Sequence, residues 1–268
     1  GNYQFAFAMP FGNGLAGRQY VQFDTIPYTD WALNPNFMIT NWIQITNLEN
    51  TAQSGTLNFY SGETGSKLKS IKITLNGGAR SDISGHQFGM DRGLVEWVPK
   101  STAARFQLRN VRYYYDNNLG NPSFDAAFQF EGMKGTGEQL VVPYDNTPNG
   151  NSLDPMVRGE LLISNTTASS IKVTVIVYLS NGTKSSNINL TLPGYATETR
   201  IGGLPTNKGI ITIDSDKPGS VIATLTQSRL VTSPVYYGIQ NMYGLSAIQP
   251  LGSVMKGSYN TFLGQGCS

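Results

Sequence analysis

A series of short apolar patterns occurs twice along this chain, in the same order and at nearly the same spacing. Trp42-Ile43-Gln44-Ile45-Thr46-Asn47 lines up with Glu160-Leu161-Leu162-Ile163-Ser164-Asn165, 118 positions later, and both end on asparagine. Leu57-Asn58-Phe59-Tyr60 matches Val175-Ile176-Val177-Tyr178 at the same offset, and Ile71 to Leu75 matches Ile188 to Leu192 at 117. Gly93-Leu94-Val95-Glu96-Trp97 corresponds to Gly209-Ile210-Ile211-Thr212-Ile213, and Leu108 with Arg112 to Leu225 with Arg229. Ordered matches at a steady offset mark a repeated structural unit and constrain the fold more than any single motif. The expectation is an internal duplication, residues 1-119 and 120-268. A chain of 268 residues is long enough for two cores of ordinary size.

A leading segment extends the pattern. Ala6-Phe7-Ala8-Met9, Ala127-Phe128-Gln129-Phe130 and Ala247-Ile248-Gln249-Pro250 recur at offsets of 121 and 120. The third copy is expected either to close the second unit or to leave a terminal edge strand for self-association.

Alternation sets the secondary structure. Ile71, Ile73 and Leu75 point one way and Lys72 and Thr74 the other, as in a half-buried strand. Val173, Val175 and Val177 alternate with Lys172, Thr174 and Ile176. Asn181-Gly182, Gly62 to Gly65, Asn76-Gly77-Gly78 and Pro193-Gly194 supply turns. No segment holds a capped 3.6-residue apolar period. The pattern predicts an all-β chain of two tandem antiparallel β-sandwich, immunoglobulin-like domains. The short linker 116–123 is expected to hold them end to end as a rod.

Only 13% of residues are charged and the net charge is +2, with both signs interspersed, so no field favours nucleic acid. No apolar run is long enough for a helical membrane span, and no membrane insertion is expected. The single Cys267 permits no disulfide within the chain. Low charge with abundant Asn, Thr and Gly suits a mature exported protein: secreted, periplasmic or at the cell surface.

The Trp42 to Asn47 strand, the strands ending in Tyr60 and Tyr178, and the Ile213 to Ser220 hairpin leading into Val221-Ile222-Ala223 carry a resemblance. The arrangement resembles tandem immunoglobulin-like modules of bacterial surface and secreted proteins. That resemblance implies an architecture, not a ligand.

Material for catalysis is sparse. His86 is the sole histidine, sits in a Ser84-Gly85-His86-Gln87 turn, and has no counterpart in the second copy. No metal and no cofactor is expected, since zinc normally takes several His or Cys ligands. Asp214-Ser215-Asp216 has the alternate oxygens of a calcium loop, but Lys217-Pro218 follow and a tight turn is the expectation. Glycosidase chemistry needs only two carboxylates, which 17 acidic residues would supply in almost any fold. Arg105 and Arg109 share a strand face with Tyr113 while Arg112 faces the other way, so no arginine patch forms. Asn-x-Ser/Thr triplets begin at Asn165, Asn181 and Asn189 and carry no assignment.

Aromatic side chains are the binding candidates, because Tyr and Trp stack on sugars and anchor protein surfaces. The candidate ligand-binding residues are Tyr113 and Tyr115, with Tyr236, Tyr237 and Tyr243 at the matching place in the second copy. Trp42 is expected in a core, and Trp31 and Trp97 at the surface. The leading expectation is a non-enzymatic adhesion or recognition module for a glycan or protein partner. A structural spacer or assembly subunit comes second, and a hydrolase using carboxylates third.

Overall fold

The computed structural model describes residues 14–25, 38–88, 91–116, 123–136, 139–147, 157–201, 204–205, 207–232 and 237–249. The first strands are β1 (Leu15–Ala16), β2 (Gln19–Asp24), β3 (Met38–Asn47), β4 (Gln53–Ser61), β5 (Lys67–Leu75) and β6 (Arg80–Ser84). A 3-10 turn, Gly85–Phe88, leads to β7 (Arg92–Pro99), β8 (Arg105–Asp116) and β9 (Ser123–Glu131). Then come β10 (Leu140–Asp145), β11 (Val157–Asn165), β12 (Ile171–Leu179), β13 (Lys184–Leu192), β14 (Thr197–Ile201), β15 (Lys208–Ser215), β16 (Val221–Thr232) and β17 (Tyr237–Ser246). No helix among the described residues is long and apolar enough to cross a membrane.

The strands form four antiparallel sheets. Sheet A runs β1-β8-β3-β6 with β9 also on β8; sheet B runs β2-β7-β4-β5; sheet C runs β14-β11-β16-β17; sheet D runs β10-β15-β12-β13. Val21, Phe23, Leu57, Phe59, Val95 and Trp97 of sheet B meet Ile43, Ile45, Phe106 and Leu108 of sheet A in one core. Val142, Val173, Val175, Ile211 and Ile213 of sheet D meet Leu161, Ile163, Ala223 and Leu225 of sheet C in the other. The expected all-β sandwich architecture is what the chain adopts. Strands one to eight are ordered 1-8-3-6 against 2-7-4-5, the double Greek-key connectivity of a jelly roll. β10 to β16 repeat this order, with Thr136 bridging Val221 much as β1 pairs β8. The immunoglobulin-like expectation thus holds for the two-sheet architecture, while the connections are those of the jelly roll.

The paired asparagines show how closely the two sandwiches correspond. Asn47 Nδ2 donates to the carbonyls of Thr51, Leu75 and Asn76, at 2.8, 3.1 and 3.0 Å. Asn165 Nδ2 donates to those of Ser169, Leu192 and Pro193, at 2.8, 3.2 and 2.9 Å. Each side chain fastens the end of its strand to the turn after the edge strand, satisfying carbonyls no ladder reaches. In both sandwiches that turn contains a left-handed residue, Gly78 (φ 71°) in the first and Tyr195 (φ 61°) in the second.

Between the sandwiches the outer face of sheet B lies on the outer face of sheet C. Gln22, Asp24, Glu96 and Leu94 from sheet B are at most 2% exposed, as are Glu160, Leu162, Ser164, Ile222 and Thr224 from sheet C. Gln22 Nε2 donates to Ser164 Oγ at 2.8 Å, and Thr224 Oγ1 donates to Gln22 Oε1 at 2.6 Å. Arg92 bridges Asp24 (3.1 Å) on its own sandwich and Glu160 (3.2 Å) on the other. The Tyr60 and Tyr195 rings stack across the seam, 4.3 Å apart at 15°. The layers therefore run A, B, C, D, with β9 of sheet A also reaching β17 of sheet C, where Gly244 lies against Phe128 and Phe130, and the expected end-to-end rod is replaced by face-to-face stacking. The polar residues on the facing sides of sheets B and C are matched to one another and buried.

The expected boundary at 119/120, the Ala6 to Met9 segment and Cys267 lie outside the described residues. β9, which follows that boundary, hydrogen-bonds to β8 of the first sandwich. The third leading segment is corrected. Ile248 exchanges both backbone hydrogen bonds with Val141, as Met133 does with Tyr20. Its counterpart is therefore Met133, after β9, and not Phe128 within it. Ala247 to Gln249 crosses from sheet C to the edge of sheet D and closes the second sandwich.

Candidate functional site

β8 displays two different surfaces. Leu108, Asn110, Arg112 and Tyr114 turn inward; Gln107, Arg109, Val111, Tyr113 and Tyr115 turn outward. On the inner side the Arg112 guanidinium is fully buried, 4.8 Å from the Phe130 ring, and Nη2 donates to the Gln22 carbonyl at 3.3 Å. Tyr114 stacks on Phe128 at 5.4 Å. Burial pushes the Tyr114 hydroxyl well above its usual pKa; the nearby Arg112 charge lowers it, while those of Asp24 and Glu160 add to the rise. This inner cluster is internal architecture.

The outward side forms the candidate site. The Tyr113 and Tyr115 rings, both half-buried, lie 6.5 Å apart at 28°. Cross-strand, Tyr113 faces Thr40 and Val111 faces Trp42. Trp42 is 37% exposed, and the His86 ring meets it edge to face at 5.4 Å. His86 Nδ1 lies 3.2 Å from the Asn41 carbonyl, which fixes the imidazole beside the indole. Val111, Tyr113 and Tyr115 thus make a row along β8 on the outer face of sheet A, with Val111 buried at its inner end under Trp42, and Trp42 and Tyr113 are diagonal cross-strand neighbours, a spacing within reach of long side chains.

The charges around the row are balanced. Arg109 Nε pairs with Glu131 Oε1 at 2.7 Å, and Arg80 Nη2 with Asp82 Oδ2 at 2.8 Å. Burial raises the Glu131 carboxyl pKa, with Arg109 opposing that shift. A second concavity of about 280 Å³ opens at the seam, lined by Leu15, Met133, Leu140, Ile222 and Ala247, with Ile248 half exposed at its mouth.

Of the five tyrosines singled out, Tyr113 and Tyr115 come together. Tyr237 and Tyr243 sit on β17 of sheet C, opposite Thr232 and Gln227. Tyr236 lies outside the described residues, as does Trp31. The tryptophan expectations are reversed. Trp97 is fully buried against Phe106 at 4.9 Å, and Trp42 is at the surface. The signal was present in β3, where inward Ile43 and Ile45 oblige Trp42, Gln44 and Thr46 to face out.

No family model matches the chain. No curated protein matches it either. Among solved structures it is similar to Bacteroides uniformis β-glucuronidase 2, covalently bound to cyclophellitol-6-carboxylate aziridine, at 9% identity and a TM-score of 0.17. That match covers 87% of this chain and 26% of the other. A β-glucuronidase from glycoside hydrolase family 2 is similar at 10% identity and a TM-score of 0.17, over 88% of this chain and 24% of that one. The chain spans about a quarter of the length of those structures. Similarity at that level carries no information on a binding face or a reaction.

Two of the remaining sequence candidates settle into structural roles. Asp214 and Ser215 end β15, and Asp216 opens the turn to β16: Asp216 Oδ1 accepts from the Lys172 amide at 2.9 Å, and Ser215 Oγ lies 2.8 Å from Ser220 Oγ. Arg105 is exposed, Arg109 half-buried and Arg112 buried, the division that strand alternation requires.

Proposed function

We propose that this chain is a non-enzymatic, exported recognition module that holds a protein or glycan partner on the outer face of sheet A. One observation carries this reading. Exposed Trp42 and the half-buried Tyr113 and Tyr115 share a face of sheet A on which no other sheet of the described residues packs, whereas the corresponding face of sheet C is covered by another sandwich. Rigid aromatic side chains give large contact areas at low entropic cost. Jelly rolls build both capsid shells and lectins, so the fold is compatible with this use without assigning it.

The test is a double variant, Trp42→Ala with Tyr115→Ala, compared with the unaltered chain by biolayer interferometry. The immobilised targets are a panel of oligosaccharides and the chain itself. A loss of at least ~10-fold in affinity, about 1.4 kcal/mol, supports the reading; undiminished binding refutes it.

An assembly-subunit reading is supported by the seam, because one sandwich already docks on another through matched sheet faces. The hydrolase reading gains little from Asp24 and Glu160. Both carboxylates are fully buried and held by Arg92.

A further inference from the structure

We infer that the partner of the sheet A face is a second copy of this chain, which docks the outer face of its sheet D there. This rests on the recognition reading above and names its partner. The seam joins unlike faces: the sheet B face of the first sandwich contacts the sheet C face of the second. Sheets A and C hold equivalent strands, as do sheets B and D. The contact is therefore heterologous, and continuing it places sheet D of one chain against sheet A of the next. A heterologous contact closes into a ring or extends as a filament, according to the rotation it imposes.

The chemistry of the two end faces agrees with this. Strand registers place Pro143 where the seam uses Gln22, Ile176 where the sheet B face has Asn58, and Trp42 where the seam uses Glu160. At these three positions a polar group of the sheet B or sheet C face is replaced by an apolar one at an end of the stack, whereas Gln44 and Gln107 of sheet A stand where the seam uses Leu162 and Ile222. Pro143, Ile176 and Tyr178 are half-buried on sheet D, around buried Ile210. The seam's Arg92–Glu160 pair has as its counterpart Lys208 and Trp42, a cation and an indole face.

The test uses two variants of the full chain, Trp42→Glu on sheet A and Ile176→Glu on sheet D, analysed by sedimentation velocity after circular dichroism has shown that each is folded. The unaltered chain is expected to self-associate and each variant alone to remain monomeric. Mixing the two restores one sound A face and one sound D face, so the mixture is expected to form dimers and nothing larger. Loss of association in Trp42→Glu but not in Ile176→Glu would indicate pairing of like faces and overturn the inference. A chain that stays monomeric at high concentration yet binds an oligosaccharide through Trp42 also overturns it, while leaving the recognition reading intact. A monomer with no Trp42-dependent binding overturns both.

Discussion

At the scale of single residues, one arginine ties the two sandwiches together. Arg92 neutralises two buried carboxylates, one from each sandwich. Arg92→Ala removes that cation from both and is expected to cost about 3–5 kcal/mol in urea unfolding. Tyr195 shows a different compromise. A non-glycine residue at φ 61° carries strain that Gly78 avoids in the first sandwich, and the stack on Tyr60 offsets it. The tyrosines also set the behaviour at alkaline pH. Burial pushes the Tyr20 hydroxyl up to about 12, with Glu96 adding to the rise, and burial first and Glu96 second push Tyr60 higher still. Between the ordinary tyrosine range near pH 10 and these folded values, the unfolded chain releases protons that the folded chain keeps. Stability therefore falls as pH rises above about 10. Tyrosinate absorbance is expected to rise in a cooperative step, together with loss of circular dichroism. Much of this was hidden in the sequence for one physical reason: Gln22, Glu160 and Thr224 sit on alternating polar faces, and polarity alone does not distinguish a face in water from one matched to another polar face.

At the scale of elements, the recurring patterns correspond to recurring constraints. Gly93 and Gly209 occupy the same place on β7 and β15, and a Cβ on either would fall on the carbonyl oxygen of Tyr60 or Tyr178. Gly93→Ala and Gly209→Ala are each expected to destabilise by about 1–3 kcal/mol in thermal melts, through overpacking against backbone. β-bulges interrupt the β4/β5 and β12/β13 ladders at equivalent points, after Phe59 and after Val177. The strands, the Asn181-Gly182 hairpin and the paired Asn47 and Asn165 were legible because they depend on local alternation and turn chemistry. Trp42 departs from its expected place in a core, although it matches Glu160 in the repeat. Glu160 is indeed buried, but by the neighbouring sandwich and not by its own. Sheet order was not legible either, since jelly-roll and immunoglobulin connections join similar strands by similar turns.

At the scale of the molecule, the central claim is that two jelly-roll sandwiches stack face to face through sheets B and C, leaving the aromatic face of sheet A at one end. Both the recognition surface and the inferred head-to-tail docking follow from that order of layers. Small-angle X-ray scattering, extrapolated to zero concentration, tests it most directly. Stacked sandwiches of this length are expected to have a radius of gyration near ~18 Å, the compact-domain value. Two sandwiches joined end to end would give a distinctly larger radius, about 24 Å for two compact half-length bodies separated along their long axes, and that result would contradict the account.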